Sequence, residues 1–222
     1  GVIMFTMITV FDISHKPVIG AIIILSYWAH MAVFYEQFKT GWLTFEPIGS
    51  LEGVLISAIL IALSAFPSVN SVFAAILFKD YSFIEIVVML SSLGGLVTFV
   101  KTWKRTPDIR PGFWLFVCLI TLVGILALPF FSPFQLFVLL TLYASLYIGR
   151  VMHGHLIDGI ERATDFVTPA MLILLYFPSF TYADYLFGIL TAYLSVNIGM
   201  LVFKTFSLLR IYWVWLNLRT RA

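Results

Sequence analysis

The chain has 222 residues, of which 61% are hydrophobic and only 11% are charged, and its formal net charge is +2. A soluble domain usually carries about 25% charged residues, so this composition excludes a water-soluble globular protein. The sequence contains no basic run or nucleic-acid-reading motif, so we expect no nucleic-acid partner. A single cysteine, Cys118, excludes a disulfide framework within the chain.

Apolar runs follow one another along the whole chain, separated by short polar or charged segments. Their hydrophobicity is continuous, without period-two alternation, which predicts helices and not barrel strands. At about 20 residues per span, the sequence predicts one all-α transmembrane domain over residues 1–222, a polytopic integral membrane helical bundle with roughly seven transmembrane helices. In chain order the runs are 1–11, 18–34, 51–78, 83–100, 113–131, 134–152, 166–180 and 185–218.

Two of these runs carry additional signals. The run 51–78 is interrupted by Pro67, Ser68 and Asn70, so we expect a kink there. The chain opens inside an apolar run, at Gly1, so we expect its natural N-terminus to lie upstream.

The charged clusters predict the orientation of the bundle. When the chain is threaded back and forth, the clusters 36–46, 101–110, 150–165 and 219–221 fall on one side, while the other side holds only Lys16 and Lys79. By the positive-inside rule, the crowded face is predicted to be cytoplasmic. Aromatic residues near the ends of runs are predicted to lie at the membrane interfaces: Tyr27, Trp28, Trp42, Tyr81, Trp103, Trp213 and Trp215.

Carboxylates near the ends of two consecutive spans form the first candidate site. Glu36 closes one span and Glu52 opens the next, so a short loop can bring them together. Carboxylates at membrane depth are costly unless they are paired or solvated, which makes them candidates for function. The alternative is that Glu36 lies in water and Glu52 stabilises a helix N-terminus.

A second candidate site lies in the cluster 150–165. Arg150 and His153 are three residues apart, share one helical face and can meet a phosphate, which arginine binds bidentately. The alternative is a solvated loop with a snorkelling arginine. His153 and His155 are two apart, which on a helix makes a shared metal ion improbable, although a loop leaves that question open.

Three segments resemble the eukaryotic choline- and ethanolaminephosphotransferases of the CDP-alcohol phosphotransferase family. Residues 35–41 are similar to that family's Trp-Glu-Glu-Tyr-His-Thr-Gly stretch, and residues 49–53 to its Gly-Pro-x-Glu-Gly stretch. Residues 148–153, followed by Pro169, resemble a later run that ends in histidine. The resemblance covers essentially all 222 residues, as the family's C-terminal two-thirds. Tyr35, Phe38, Lys39 and Ser50 depart from its pattern.

The resemblance implies transfer of phosphocholine or phosphoethanolamine from a CDP-alcohol to diacylglycerol in the endoplasmic reticulum or Golgi, with magnesium as cofactor. The family's metal-binding motif would precede Gly1, so we predict no catalytic residue and no metal ligand in this chain. Whether the chain is an enzyme by itself stays open. The residues predicted to bind substrate or lipid are Glu36, Thr40, Gly41, Glu52, Arg150 and His153.

Two other functions are considered. In the first, the chain is a non-catalytic homologue that serves as a structural subunit, as a homodimer or in a larger complex, with the mitochondrial inner membrane as a further location. Ser91, Ser92, Gly94 and Gly95 would then give close contact with partner helices. The second, a transporter or channel, has less support because only Glu85, Asn197 and Lys204 are candidate charged or polar residues within spans.

Overall fold

The computed structural model describes residues 2–13, 15–42, 50–78, 80–155, 161–177 and 182–208, except for the side chains of 2–4, 50–54 and 208. About 81% of the described residues are helical. A short antiparallel hairpin pairs Ile76 with Ser82 and Phe78 with Tyr81. The elements are α1 Val2–Val10, α2 Lys16–Thr40, α3 Ser50–Leu63, α4 Pro67–Phe73, β1 Ile76–Phe78, β2 Tyr81–Ser82, α5 Phe83–Arg105, α6 Pro111–Ala127, α7 Pro133–His153, α8 Val167–Ile173, a 3₁₀ turn Leu174–Tyr176 and α9 Ala183–Leu208.

Local sequence signals explain several helix ends. At the start of α5, the Ser82 side chain accepts a hydrogen bond from the backbone N–H of Glu85, whose carboxylate accepts one from the Ser82 N–H. Ser132 and Gln135 form the same capping box at the start of α7. Helix α2 ends at Gly41, whose φ of 74° lies in the left-handed region that glycine adopts without steric cost.

Helices α2 and α5 run parallel and pack closely, as contacts at both ends show. At one end His15 Nδ1 lies 2.7 Å from Glu85 Oε1. At the other, which we call the ionic end, Arg105 binds Glu36. Helices α7 and α9 are also parallel and end at the same side, because each reaches the ionic end with its C-terminus.

Helix α6 runs antiparallel to α2 and forms the centre of the core. Its first turn places Phe113 against Tyr35, with ring centroids 4.5 Å apart. Phe116, Ile120 and Val123 are fully buried against the surrounding helices. An apolar interior on its own does not distinguish a soluble core from a membrane bundle. The two are distinguished by the outer surface.

Large apolar side chains cover the outward faces of the long helices. On α5 and α9 they include Met89, Leu90, Leu93, Val97, Ile189, Val196, Met200 and Phe203, all exposed. Such continuous apolar surfaces require a lipid environment. The prediction of an all-α protein embedded in a membrane is therefore confirmed.

The described residues do not show the predicted number of roughly seven transmembrane helices. Among the described residues, four helices are long and apolar enough to cross a membrane: 16–40, 83–105, 133–153 and 183–207. A fifth span results if Leu55–Leu63 and Pro67–Phe73 count as one, although they are bent by 116° at the predicted kink. Helix α6 has 17 residues and is about 25 Å long, shorter than these four, although it runs between the same two ends of the bundle. Helix α8 has seven residues and is too short to span the hydrocarbon.

Two aromatic residues predicted at a membrane interface lie inside the bundle. Tyr27 bonds to Thr141 on α7, and the Trp28 indole N–H donates to Thr121 on α6 over 3.0 Å. Both are in the middle of α2, because that helix extends well beyond the predicted run 18–34. Their polar atoms therefore connect helices within the core and do not face lipid headgroups.

Candidate functional site: the ionic end of the bundle

Glu36 forms a buried ion pair that connects α2 to α5. Its carboxylate accepts hydrogen bonds from Nε and Nη2 of Arg105, the latter over 2.7 Å. Only 2% of the Glu36 side chain is exposed, against 34% for Arg105. Because both carboxylate oxygens bind the guanidinium, Glu36 is already neutralised within the chain and acts first as a connection between the two helices.

Glu161 is the centre of a second group of charges. The Tyr35 hydroxyl lies within hydrogen-bond distance of both Glu161 oxygens, at 2.9 and 3.0 Å, and the backbone N–H of Arg110 donates to the same hydroxyl. Lys39 Nζ lies 2.5 Å and Arg110 Nε 3.7 Å from Glu161 Oε1. We use the name ion network for the following residues together: Tyr35, Glu36, Lys39, Arg105, Arg110 and Glu161.

Thr40 and Gly41 have structural roles at the end of α2. The Thr40 hydroxyl donates to the Glu36 carbonyl oxygen over 2.9 Å and accepts from the Trp42 N–H over 3.2 Å. Gly41 donates its N–H to the Gln37 carbonyl oxygen in the left-handed cap. These contacts end the helix and direct the chain away from it.

An apolar cavity of about 550 Å³ lies beside the ion network, between the last turns of α2 and α7. Four members of its lining are polar or titratable: Tyr35, Gln37, Tyr147 and His155. The His155 and Phe38 rings make a T-shaped contact with a centroid distance of 4.3 Å. The remaining lining residues are Met31, Phe34, Phe38, Gly41, Ile148, Val151 and Met152. We call this space the apolar cavity.

Arg150 faces a different region, between α7 and α9. Its Nη1 donates to the Ala163 carbonyl oxygen over 3.2 Å, and its Nη2 lies 4.0 Å from Asp165 Oδ1. Asp165 is buried and also accepts from the Tyr193 hydroxyl, over 2.8 Å, and from the Thr168 N–H, over 2.9 Å. Asp165 therefore anchors the start of α8 to both long helices.

His153 also points to α9 and is almost fully buried, with 1% of its surface exposed. Its Nδ1 lies 2.6 Å from the Thr205 hydroxyl oxygen. Because that hydroxyl donates to the Leu201 carbonyl oxygen, it is left to accept the proton on Nδ1. Arg150 and His153 thus both face α9, as their spacing predicts.

The predicted site residues therefore occupy two separate places. Glu36, Thr40 and Gly41 lie at the end of α2, whereas Arg150 and His153 lie between α7 and α9. The side chain of Glu52 lies outside the described residues, so its predicted proximity to Glu36 stays a prediction.

The principal partners of these residues were missed at the sequence level: Arg105, Glu161 and Asp165. One signal pointed to them. They fall in the charged clusters that threading places on the same side as Glu36 and Arg150. The predicted convergence of clusters 36–46, 101–110 and 150–165 is confirmed by the contacts of the ion network.

The donors present do not fit the magnesium ion that the family resemblance implies. Glu36, Glu161 and Asp165 each bind partners of their own. Across the described ranges, no three His, Cys, Asp or Glu side chains meet in an arrangement that could hold a metal ion. Magnesium requires several oxygen ligands around one point, so no metal step is assigned to these side chains.

Fold and site together define an all-α membrane-embedded protein with an ion network at one end of the bundle, next to an apolar cavity. Comparison with known proteins adds no relative: no family model, no curated protein and no solved structure matches this chain.

Proposed function

We propose that this chain is the lipid-binding membrane portion of a phospholipid-synthesising CDP-alcohol phosphotransferase. In this proposal, phosphocholine or phosphoethanolamine passes from a CDP-alcohol to diacylglycerol, in the endoplasmic reticulum or Golgi. The observation that carries the proposal is the apolar cavity at the ionic end, bordered by the segment 35–41 that resembles the family's motif.

The cavity has the chemistry of an acyl-chain site. Its volume of about 550 Å³ lies within the range of small-molecule sites, about 300–1,000 Å³. Phe34, Phe38 and Val151 supply apolar walls, while Gln37 and His155 supply polar atoms that can orient a glycerol hydroxyl. A diacylglycerol needs this combination, because its chains are apolar and its reacting hydroxyl must meet a water-soluble donor.

The ion network supports the rim of this cavity. Tyr35 lines the cavity and is held by Glu161, which in turn binds Lys39 and Arg110. A side chain locked by such bonds keeps a binding surface preorganised. In the reaction the oxygen of the diacylglycerol hydroxyl forms a bond to the phosphorus that carries the choline or ethanolamine group, and the bond from that phosphorus to the bridging oxygen of the CMP group breaks. The hydroxyl proton goes to a base, and CMP leaves. We assign binding and orientation of the lipid to the described residues, and no part in bond making or breaking.

A cavity-filling variant tests the proposal. The protein that contains this sequence is purified from its natural host membrane into nanodiscs, with CDP-choline or CDP-ethanolamine, magnesium and diacylglycerol, and phospholipid formation is measured. Ile148→Trp should fill the cavity and raise KM for diacylglycerol about tenfold, the cost of losing roughly 1.4 kcal/mol of binding. Val97→Trp, on the exposed face of α5, is the matched control and should leave KM unchanged.

Three outcomes distinguish the proposed enzyme from the alternatives. Turnover with a KM effect at Ile148 alone supports the proposal. Diacylglycerol binding without turnover contradicts an enzyme and supports a non-catalytic structural subunit. Absence of both turnover and saturable diacylglycerol binding overturns the proposal.

A further inference from the structure

Tyr147 is a buried tyrosine in the wall of the apolar cavity. Only 4% of its surface is exposed, and because the residue lines the cavity, that surface faces the cavity interior. One face of its ring stacks on Phe116 of α6, with the centroids 4.0 Å apart and the two planes nearly parallel. The core therefore holds the ring in place without any help from a hydrogen bond of its hydroxyl.

The hydroxyl of Tyr147 differs from those of the other tyrosines inside the bundle. In the described part of the chain it makes no hydrogen bond. The Tyr35 hydroxyl, in the wall of the same cavity, is already bound by Glu161 and the Arg110 N–H. A buried polar group without a partner is costly, so the Tyr147 hydroxyl favours a guest that supplies one. Three further tyrosines of the bundle each bond to another residue of the chain: Tyr27, Tyr143 and Tyr193.

The depth of Tyr147 indicates which part of a guest it meets. It lies six residues before the end of α7 at His153, which is about 9 Å along the helix axis. Gln37, in the last turn of α2, and His155, just after α7, line the cavity nearer to the ionic end. A guest therefore meets polar atoms at two depths within apolar walls. Diacylglycerol has this order of groups: a free hydroxyl, then ester carbonyls a few bonds away, then hydrocarbon chains.

We infer that the Tyr147 hydroxyl donates a hydrogen bond to an ester carbonyl of diacylglycerol in the apolar cavity, and that this bond makes the site select ester-linked over ether-linked lipids. The inference rests on the proposed function for the identity of the lipid. A tyrosine hydroxyl is a donor, and an ester carbonyl oxygen is an acceptor. An ether-linked lipid has no carbonyl, so the buried hydroxyl loses this partner when such a lipid is bound.

The test compares two lipids that differ only in this group. The full protein, in dodecylmaltoside, a detergent without ester groups, binds radiolabelled dioleoylglycerol in competition with the unlabelled diester or with its diether analogue, without any CDP-alcohol. The unchanged protein should bind the diester about fivefold more tightly than the diether, the effect of one hydrogen bond between neutral groups. Tyr147→Phe keeps the ring on Phe116, so it should weaken diester binding about fivefold and leave diether binding unchanged.

Tyr143 provides the matched control. It lies one turn earlier on α7 and also stacks on Phe116, but it does not line the apolar cavity. Its hydroxyl donates to the Asp165 carbonyl oxygen over 2.7 Å. Tyr143→Phe should therefore lower the midpoint of thermal unfolding and leave the preference for the diester at about fivefold. Tyr147→Phe should abolish the preference without lowering that midpoint.

The outcomes separate this inference from the proposed function. Equal binding of both lipids by the unchanged protein overturns the inference and leaves the proposed function standing. A preference that persists in Tyr147→Phe also overturns it, since another group then binds the carbonyl. The expected preference in a protein that forms no phospholipid supports the inference and contradicts the phosphotransferase. Absence of saturable binding of either lipid contradicts both.

Discussion

The ion network and a second cavity, of about 380 Å³ and lined in part by Arg150 and Lys204, lie at the same end of the bundle, and they differ in how their side chains are arranged. In the ion network, Glu36 and Glu161 are each bound by cations of the same chain. At the second cavity, Arg150 lies 4.0 Å from Asp165, which also accepts hydrogen bonds from Tyr193 and Thr168.

This difference separates side chains that connect two helices from side chains that border a cavity. A buried carboxylate that is paired bidentately has little capacity left for a substrate. Burial agrees with this division, since Glu36 is nearly inaccessible and Lys204 is exposed. Substitutions in the ion network should therefore change stability, whereas substitution of the exposed Lys204 should change it little.

The largest expected effect comes from breaking the Glu36–Arg105 pair. Glu36→Gln should lower the free energy of unfolding by about 3–5 kcal/mol, because it leaves the Arg105 guanidinium without its bidentate carboxylate partner. Chemical unfolding of the purified protein in mixed micelles, followed by circular dichroism, measures this change.

A double-mutant cycle distinguishes the pair from a general effect of the site. Arg105→Gln alone should be similarly harmful, and the double variant Glu36→Gln/Arg105→Gln should cost less than the sum of the two. Additive losses, or a loss below about 1 kcal/mol for Glu36→Gln, would mean that the pair does not hold α2 against α5.

A smaller effect is expected at Tyr35, where the ion network meets the apolar cavity. Tyr35→Phe removes a hydroxyl that donates to the Glu161 carboxylate and accepts from the Arg110 N–H. A hydrogen bond to a charged group contributes about 1.5–3 kcal/mol, so the same unfolding measurement should show a loss in that range. Tyr185→Phe is the control: that ring is 72% exposed, and its substitution should change stability by less than about 0.5 kcal/mol. Equal changes at both tyrosines would contradict the role of the Tyr35 hydroxyl.

How far the sequence predicts this fold depends on which physical constraint acts. Backbone N–H and C=O groups in lipid must be paired within the chain, which continuous apolar segments achieve as helices. The all-α membrane class therefore follows from composition. Helix ends follow where a residue type imposes them, as at Gly41 and at the break before Pro67. The number of spans does not follow, because an apolar run such as 166–180 reads the same whether it forms one long helix or the short α8 with a 3₁₀ turn.

The candidate site was predicted only at the level of which clusters meet. Alternation of spans places 36–46 and 150–165 on the same side, and the contact of Lys39 with Glu161 follows that arrangement. The pairing itself depends on which face of each helix turns inward. A helix that is apolar on all sides does not reveal that face in its sequence. For that reason the sequence predicts Glu36 as a substrate ligand, although Arg105 already binds it.

The smallest expected effect concerns the close packing that brings α2 and α5 together. A Cβ added at Gly95 would lie 3.2 Å from the backbone oxygen of Leu25 on α2, whereas one at Gly94 would meet nothing within 4 Å. Gly94→Ala should therefore stabilise the protein by about 0.5–1 kcal/mol through helix propensity alone. Gly95→Ala receives the same propensity gain but must push the α2 backbone away, at a cost of about 1–3 kcal/mol, so it should be neutral to destabilising by about 2 kcal/mol.

The two glycines also connect this packing to the ion network. If Gly95 sets the distance between α2 and α5, then Gly95→Ala should weaken the coupling energy between Glu36 and Arg105 in the double-mutant cycle, and Gly94→Ala should leave it unchanged. Equal coupling in both backgrounds would show that the Arg105 side chain reaches Glu36 regardless of helix separation. The ion network would then tolerate movement of its helices, and its stabilising role would rest on the charges alone.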